Sequence, residues 1–128
     1  MAILVTGGAG FIGSNFIHDW LDNHDEVIVN LDKLTYAGNL NNLNLLEGNK
    51  KHIFIKDDIG NSETIKEYLI KYKPRAILNF AAESHVDRSI HGPESFMQTN
   101  IIGTSRLLEC TKNFWQSLPQ HEQKEFRF

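Results

Sequence analysis

A doubly wound α/β fold, with helices on both faces of a parallel sheet, is predicted by three features of this 128-residue sequence. Short apolar runs alternate with stretches of helical periodicity, which calls for parallel strands joined by crossover helices. The first run passes directly into glycines spaced three apart, Gly7, Gly10 and Gly13, and a helical pattern follows at once. The second run ends on a carboxylate, Asp32, about twenty residues past those glycines.

The opening strand is Ala2-Ile3-Leu4-Val5, and Thr6 to Ser14 form a turn that presents bare backbone N–H groups at a helix N-terminus. The positive end of the helix favours a pyrophosphate there. Gly7 permits the sharp exit from the strand, Gly10 leaves out the Cβ that would obstruct phosphates, and Gly13 lets the helix lie close to the strand. Ile12, Phe16, Ile17, Trp20 and Leu21 make the helical stripe, and Asp22 to Asp25 form a turn. Val27 to Asp32 is the second strand, whose terminal carboxylate is placed to accept hydrogen bonds from both hydroxyls of an adenosine ribose. That charge repels a 2′-phosphate and favours NAD over NADP, while Lys33 beside it is a cation that a 2′-phosphate could use.

Residues 33–51, rich in asparagine, read as an irregular excursion with one helical turn near Leu40 to Leu46, and long loops of this kind are usually functional. His52 to Lys56 is a third strand, leading to Asp57-Asp58-Ile59. Ser62 is positioned to cap the next helix, which buries Ile65, Leu69 and Tyr72 and stops at Pro74. Ala76 to Ala82 is the fourth strand, and a long helix after Pro93 runs to about Trp115 with Phe96, Ile101, Leu108 and Trp115 near one face.

Composition excludes several classes. With a net charge of −3 and thirteen scattered basic residues, no nucleic-acid-binding face is expected. No apolar run is long enough to span a membrane or serve as a signal peptide, so a cytoplasmic, non-membrane protein forming one domain is expected. The lone cysteine, Cys110, reads as a small buried apolar residue. The histidines have no metal spacing; His18, His24, His52, His91 and His121 read as surface residues, and no metal site is expected.

A second constellation, Ala81-Ala82-Glu83-Ser84-His85-Val86-Asp87-Arg88-Ser89, leaves the sheet at its carboxyl edge, where open α/β sheets bind ligands. Small residues there admit a flat cofactor, and Ser84 and His85 can donate to a sugar or phosphate. Asp87 and Arg88 read as a local ion pair or a helix start.

These motifs, with Asp32-Lys33-Leu34-Thr35-Tyr36-Ala37-Gly38-Asn39-Leu40, make the whole chain similar to the N-terminal part of the dTDP-glucose 4,6-dehydratases, a family of extended short-chain dehydrogenases/reductases. The resemblance implies a Rossmann-type NAD-binding domain in which Phe11 and Ile12 lie against the pyrophosphate and Asp32, Lys33, Leu34 and Thr35 hold the adenosine ribose. It implies further that Asp58 and Ile59 border the adenine, and that Phe80, Ala81, Ala82, Glu83 and Ser84 line the nicotinamide side. Thr99 faces the cofactor, and Ser84 touches the substrate, dTDP-glucose. Such proteins oxidise the sugar at C4, eliminate water across C5 and C6 and return the hydride to C6, as lyases of deoxysugar biosynthesis such as rhamnose supply.

That cycle calls for a Tyr-x-x-x-Lys pair, an orienting Thr and an Asp/Glu pair. Tyr36 is followed four residues on by Leu40 and Tyr68 by Tyr72, so neither makes the pair. The chain therefore reads as a fragment, ending before the fifth strand is complete and lacking the catalytic region and the substrate domain; turnover by the chain alone is not expected. A fourth strand without its neighbour would expose an apolar sheet edge. The resemblance also implies a homodimer for the full-length form, using the helix at residues 94–115. Two other readings stay open: another NAD-dependent nucleotide-sugar epimerase or dehydratase of the same extended family, or a non-catalytic NAD-binding remnant.

Overall fold

The computed structural model describes residues 1–35 and 38–128; Tyr36 and Ala37, which fall in the second family motif, lie outside the described residues. Four parallel strands, β1 (Ala2–Thr6), β2 (Val27–Asp32), β3 (His52–Lys56) and β4 (Ala76–Asn79), form one sheet in the order β3-β2-β1-β4. Ala2 pairs with Val27, Ile3 with Ala76 and Ile28 with His52, so β1 is flanked on both sides. Parallel neighbours need crossover segments, and the chain supplies α1 (Phe11–Asn23) and α2 (Ser62–Tyr72) among them.

Side chains alternate along each strand, and each sheet face has its own core. Ile3, Val5 and Ile28 pack with Ile17 of α1 and with Leu43 and Leu46 of a 3-10 helix at Leu40–Leu46. Leu4, Val29, Leu31 and Ile77 pack on the other face with Ile65 and Leu69 of α2 and with Leu107 and Cys110. The sheet is thus doubly wound. Cys110 is buried, as its pattern predicts.

Several elements depart from the sequence reading. β4 stops at Asn79 rather than Ala82 because β1 ends at Thr6, leaving no further ladder partner. The Phe80 N–H donates to the Thr6 carbonyl, and the Ala81 N–H turns to the Thr6 hydroxyl at 3.3 Å. Ser62 is the first helical residue of α2, not its cap; Asn61 precedes it, and the Asp57 carboxylate accepts from Thr64 Oγ1 at 2.6 Å. Within α1, Ile12 is exposed rather than part of the buried stripe. A short helix, α3 (Val86–His91), holds Asp87 in its first turn, in keeping with the helix-start reading.

The long helix is also different in kind. Its run comprises α4 (Pro93–Phe96), a π-helical segment at Met97–Gly103 and α5 (Thr104–Ser117). Its core-facing residues are Gly103, Leu107, Cys110 and Thr111, whereas the expected stripe of Ile101, Leu108 and Trp115 faces outward. Leu107, Cys110, Thr111 and half-buried Phe114 stand at i, i+3, i+4 and i+7 and make the inner face, and Leu108 and Trp115 each lie one residue, about 100°, off it. His52 is half-buried, its Nε2 lying 3.2 Å from Asn30 Nδ2 on the neighbouring strand.

After α6 (Gln120–Glu125), Arg127 forms a parallel bridge with Ala76, and the Ile77 N–H donates to the Arg127 carbonyl at 2.9 Å. Among the described residues, no helix is long and apolar enough to cross a membrane.

Candidate functional site

The site lies at the carboxyl ends of the strands, where β1 gives way to α1. Gly7 makes the turn with φ of +69°, a backbone region that L side chains avoid, and a Cβ there would lie 2.5 Å from the Ala81 nitrogen. A Cβ on Gly13 would lie 2.3 Å from the Gly7 carbonyl oxygen, so the helix start approaches the turn without a side chain between them. Gly10 is the N-cap of α1 and supplies no capping side chain, and the first turn holds no acidic residue. The first N–H groups of a helix lack intrahelical acceptors, so this terminus favours an anion.

Loop and strand ends are fastened by the Asp32 carboxylate. Its Oδ2 accepts from the Ala9 N–H at 2.8 Å and its Oδ1 from the Leu34 N–H at 2.7 Å. Each oxygen keeps a further lone pair for an incoming donor. The second contact closes a turn in which Leu34 adopts a φ of +57°. The excursion after β2 docks on the same loop, since the Ala9 carbonyl accepts from Asn39 N–H and Asn42 Nδ2 at 3.0 and 2.9 Å.

A groove runs over this turn. Of the residues singled out in the sequence, Gly7, Gly10, Asp32, Lys33, Thr35, Asp58, Ile59, Phe80, Ala81, Ala82, Glu83 and Thr99 line it. Phe11 and Ile12 stand exposed at the head of α1, outside the lining. Gly13 is buried beneath the turn, Leu34 packs partly into the α1-side core, and Ser84 is exposed just beyond Glu83. Leu31, Gly38 and Asp57 also line the groove and were missed in the sequence reading. Asp57 was within reach, as the first polar residue after a strand edge.

Electrostatics differ along the groove. At the β2–β3 end, Lys33 Nζ lies 2.9 Å from Asp58 Oδ2, and Asp58 Oδ1 accepts from the Gly60 N–H at 2.8 Å. Burial raises the Asp58 carboxyl, but the Gly60 N–H and the Lys33 ammonium outweigh it and hold the group below the ordinary carboxylate range. Burial likewise works against Asp57, yet donors from Thr64, the Asp58 N–H, Tyr68 and Asn61 keep it low, so it is a saturated acceptor rather than a base. At the β4 end, Thr6 Oγ1 donates to Asn79 Oδ1 at 2.5 Å. Asn100, on the π segment that carries Thr99, binds Glu83 twice: its Oδ1 accepts from the Glu83 N–H at 2.8 Å and its Nδ2 donates to the Glu83 carbonyl at 2.9 Å. No spacing rule pointed to Asn100.

Among the described residues, no three His, Cys, Asp or Glu side chains come together to hold a metal ion. The arrangement suits an elongated ligand carrying an anion over the turn and a hydroxyl pair at Asp32.

Known proteins share this architecture. A dTDP-glucose 4,6-dehydratase of Xanthomonas campestris pv. campestris is 56% identical over 125 residues, covering 98% of this chain and 35% of the relative. The solved dTDP-glucose 4,6-dehydratase of Streptomyces venezuelae, with NAD bound, superposes with a TM-score of 0.82 at 42% identity, over 89% of this chain and 36% of that one. A UDP-glucose 4-epimerase of Thermotoga maritima superposes with a TM-score of 0.79 at 32% identity, over 89% and 35%. The chain spans about a third of the length of the curated relatives it matches. The family described as GDP-mannose 4,6 dehydratase matches residues 4–128, and the chain belongs to that family.

Proposed function

We propose that this chain is the NAD-binding front of an enzyme that dehydrates dTDP-glucose to dTDP-4-keto-6-deoxyglucose in nucleotide-sugar metabolism. The observation that carries the reading is Asp32, whose carboxylate lines one groove together with the uncapped glycine turn at the head of α1. Absence of Cβ atoms at Gly7 and Gly13 leaves the turn compact enough for a diphosphate to approach the backbone. Asp32 would hold the adenosine ribose, and Asp58 and Ile59 the adenine. Phe80, Ala81, Ala82 and Glu83 would flank the nicotinamide with Thr99, and Phe11 and Ile12 would cover the pyrophosphate. NAD supplies hydride acceptance and return. Ser84, exposed at the open end, would donate to the sugar.

This chain's residues bind and orient; proton removal belongs to a Tyr-x-x-x-Lys pair, and neither Tyr36 nor Tyr68 begins one. Outward-facing Val86, Ile90, Met97, Ile101 and Leu108 support a homodimer for the whole enzyme, and a cytoplasmic location accords with nucleotide-sugar chemistry. An extended-family epimerase acting on a UDP-sugar is the second reading, favoured by the likeness to the Thermotoga epimerase.

Calorimetric titration tests the proposal. NAD should bind the chain, and Asp32→Asn should weaken it by roughly 10- to 100-fold, the loss of a charged hydrogen-bond acceptor. Absence of NAD binding by the folded chain would refute the reading.

A further inference from the structure

Lys33 is the cation among the groove's described lining residues, which also include Asp32, Asp57, Asp58 and Glu83. It follows Asp32 directly and lies at the end of the groove where the ribose would rest. A lysine there invites a 2′-phosphate, since an ammonium is an adaptable point-charge partner for phosphate. Asp32 alone does not settle the matter, because an adjacent free cation would offset its charge.

The geometry resolves the conflict. Lys33 Nζ is held 2.9 Å from Asp58 Oδ2, across from β2 to the loop after β3. Asp58 cannot easily turn away, because its other oxygen accepts from the Gly60 N–H at 2.8 Å. Asp57 is not an alternative partner: its carboxylate is occupied by Thr64 and Tyr68. We propose that Asp58 is a specificity-determining residue for the dinucleotide, holding Lys33 so that a 2′-phosphate meets two carboxylates and no free cation. Asp58 acts through Lys33, as a positioning residue. The inference rests on the reading of the groove as an NAD site and adds the means by which NADP is refused.

Selectivity of this kind is separate from stability. Lys33 and Asp58 side chains are 53% and 40% accessible, so the pair contributes little to folding. Selectivity depends instead on the charge that a doubly ionised phosphate meets, which changes by one full unit when Asp58 is neutralised.

The test is a set of NAD and NADP titrations on the wild type, Asp58→Asn, Lys33→Met and the double variant, each first checked for an unchanged circular dichroism spectrum and melting temperature. The amide that replaces the carboxylate in Asp58→Asn keeps an oxygen for the Gly60 N–H, so the loop is retained. Asp58→Asn should lower the ratio of the NADP to the NAD dissociation constant by about tenfold, and this gain should shrink with added salt. Lys33→Met removes the opposite charge and should raise the ratio by a comparable factor, and the double variant, whose net charge equals that of the wild type, should return to within about twofold of it. A merely structural Asp58 would weaken both dinucleotides together and leave the ratio alone. An unmoved ratio in Asp58→Asn, or a shifted ratio that persists in the double variant, overturns the inference while NAD binding by the wild type preserves the site. Failure of the folded wild type to bind either dinucleotide overturns both.

Discussion

Replacing Gly13 with alanine probes how closely the glycine turn and α1 are packed. The added Cβ would lie 2.3 Å from the Gly7 oxygen and 2.8 Å from the Gly8 Cα, whereas ordinary contact begins at 3.4 Å. The start of α1 must therefore move by about 1 Å, because both obstructing atoms are backbone. Gly7 is fastened in place, its N–H donating to the Leu31 carbonyl at 2.8 Å and its carbonyl accepting from the Gly10 N–H at 3.2 Å. Overpacking of this kind costs about 3 kcal/mol, the upper part of its usual range, out of a total stability on the order of 5–15 kcal/mol. With a urea dependence of roughly 1.5 kcal/mol per molar, the unfolding midpoint should fall by about 2 M. Two glycines calibrate the measurement. Gly48 has a φ of +79° and open space around its Cβ position, so alanine there costs about 1 kcal/mol from the backbone alone. At Gly92 the nearest atom is 3.7 Å away, and alanine should shift stability by less than about 0.5 kcal/mol. Equal urea midpoints for Gly13→Ala and Gly92→Ala would refute this account of the packing.

Three further outcomes are expected. Glu26→Gln, which removes the charge and one of the two acceptors that receive Arg75 Nε and an Arg75 terminal nitrogen at 2.7 and 2.8 Å, should cost roughly 1–2 kcal/mol, less than a fully buried pair because Arg75 is partly exposed; a double-mutant cycle with Arg75→Met measures the coupling. Asn100→Ala should cost about 1 kcal/mol and speed hydrogen exchange at the Glu83 amide while leaving β1 amides unchanged. Burial of the His52 ring, with His18 nearby, lowers its pKa below 6.5, so the folded state favours the neutral ring. Stability from this group is complete above the unfolded pKa and is lost as pH falls through the folded value. Between pH 7.5 and 5.5 the wild type should lose more stability than His52→Gln, and parallel urea midpoints for the two across that range would contradict the assignment.

The parts of the fold that local chemistry dictates were legible in the sequence. β2 ends at Asp32 and β3 at Lys56, as their composition predicts, and the 3-10 helix falls on Leu40–Leu46. The groove collects residues from five separate stretches, four of them following strands because parallel strands deliver all their carboxyl ends to one edge. What stayed hidden depends on partners distant in sequence. β4 ends early because β1 runs out at Thr6, more than seventy residues away. Ile101 and Leu108 turn outward because Leu107 and Cys110 are the residues that pack against Ile65 and Leu69 of α2, some forty residues earlier. Asn100 reads as an ordinary helical asparagine until Glu83 is set against it, and the Lys33–Asp58 pair requires the excursion between two strands to fold back.

The central place of β1 has a consequence for how the chain acquires its structure. Ala2 meets Val27 across a loop of 25 residues, whereas Ile3 meets Ala76 only when 73 residues are closed into a ring. The longer closure carries about 1 kcal/mol more entropy loss than the shorter one. A β1–α1–β2 unit is accordingly the natural nucleus, with β3 joining next and β4 docking late on the opposite edge. At synthesis rates of roughly 5–20 residues per second, β1 waits about 4–15 s for β4 to emerge from the ribosome. Throughout that interval one edge of its backbone remains an unfilled template for pairing with a neighbouring chain.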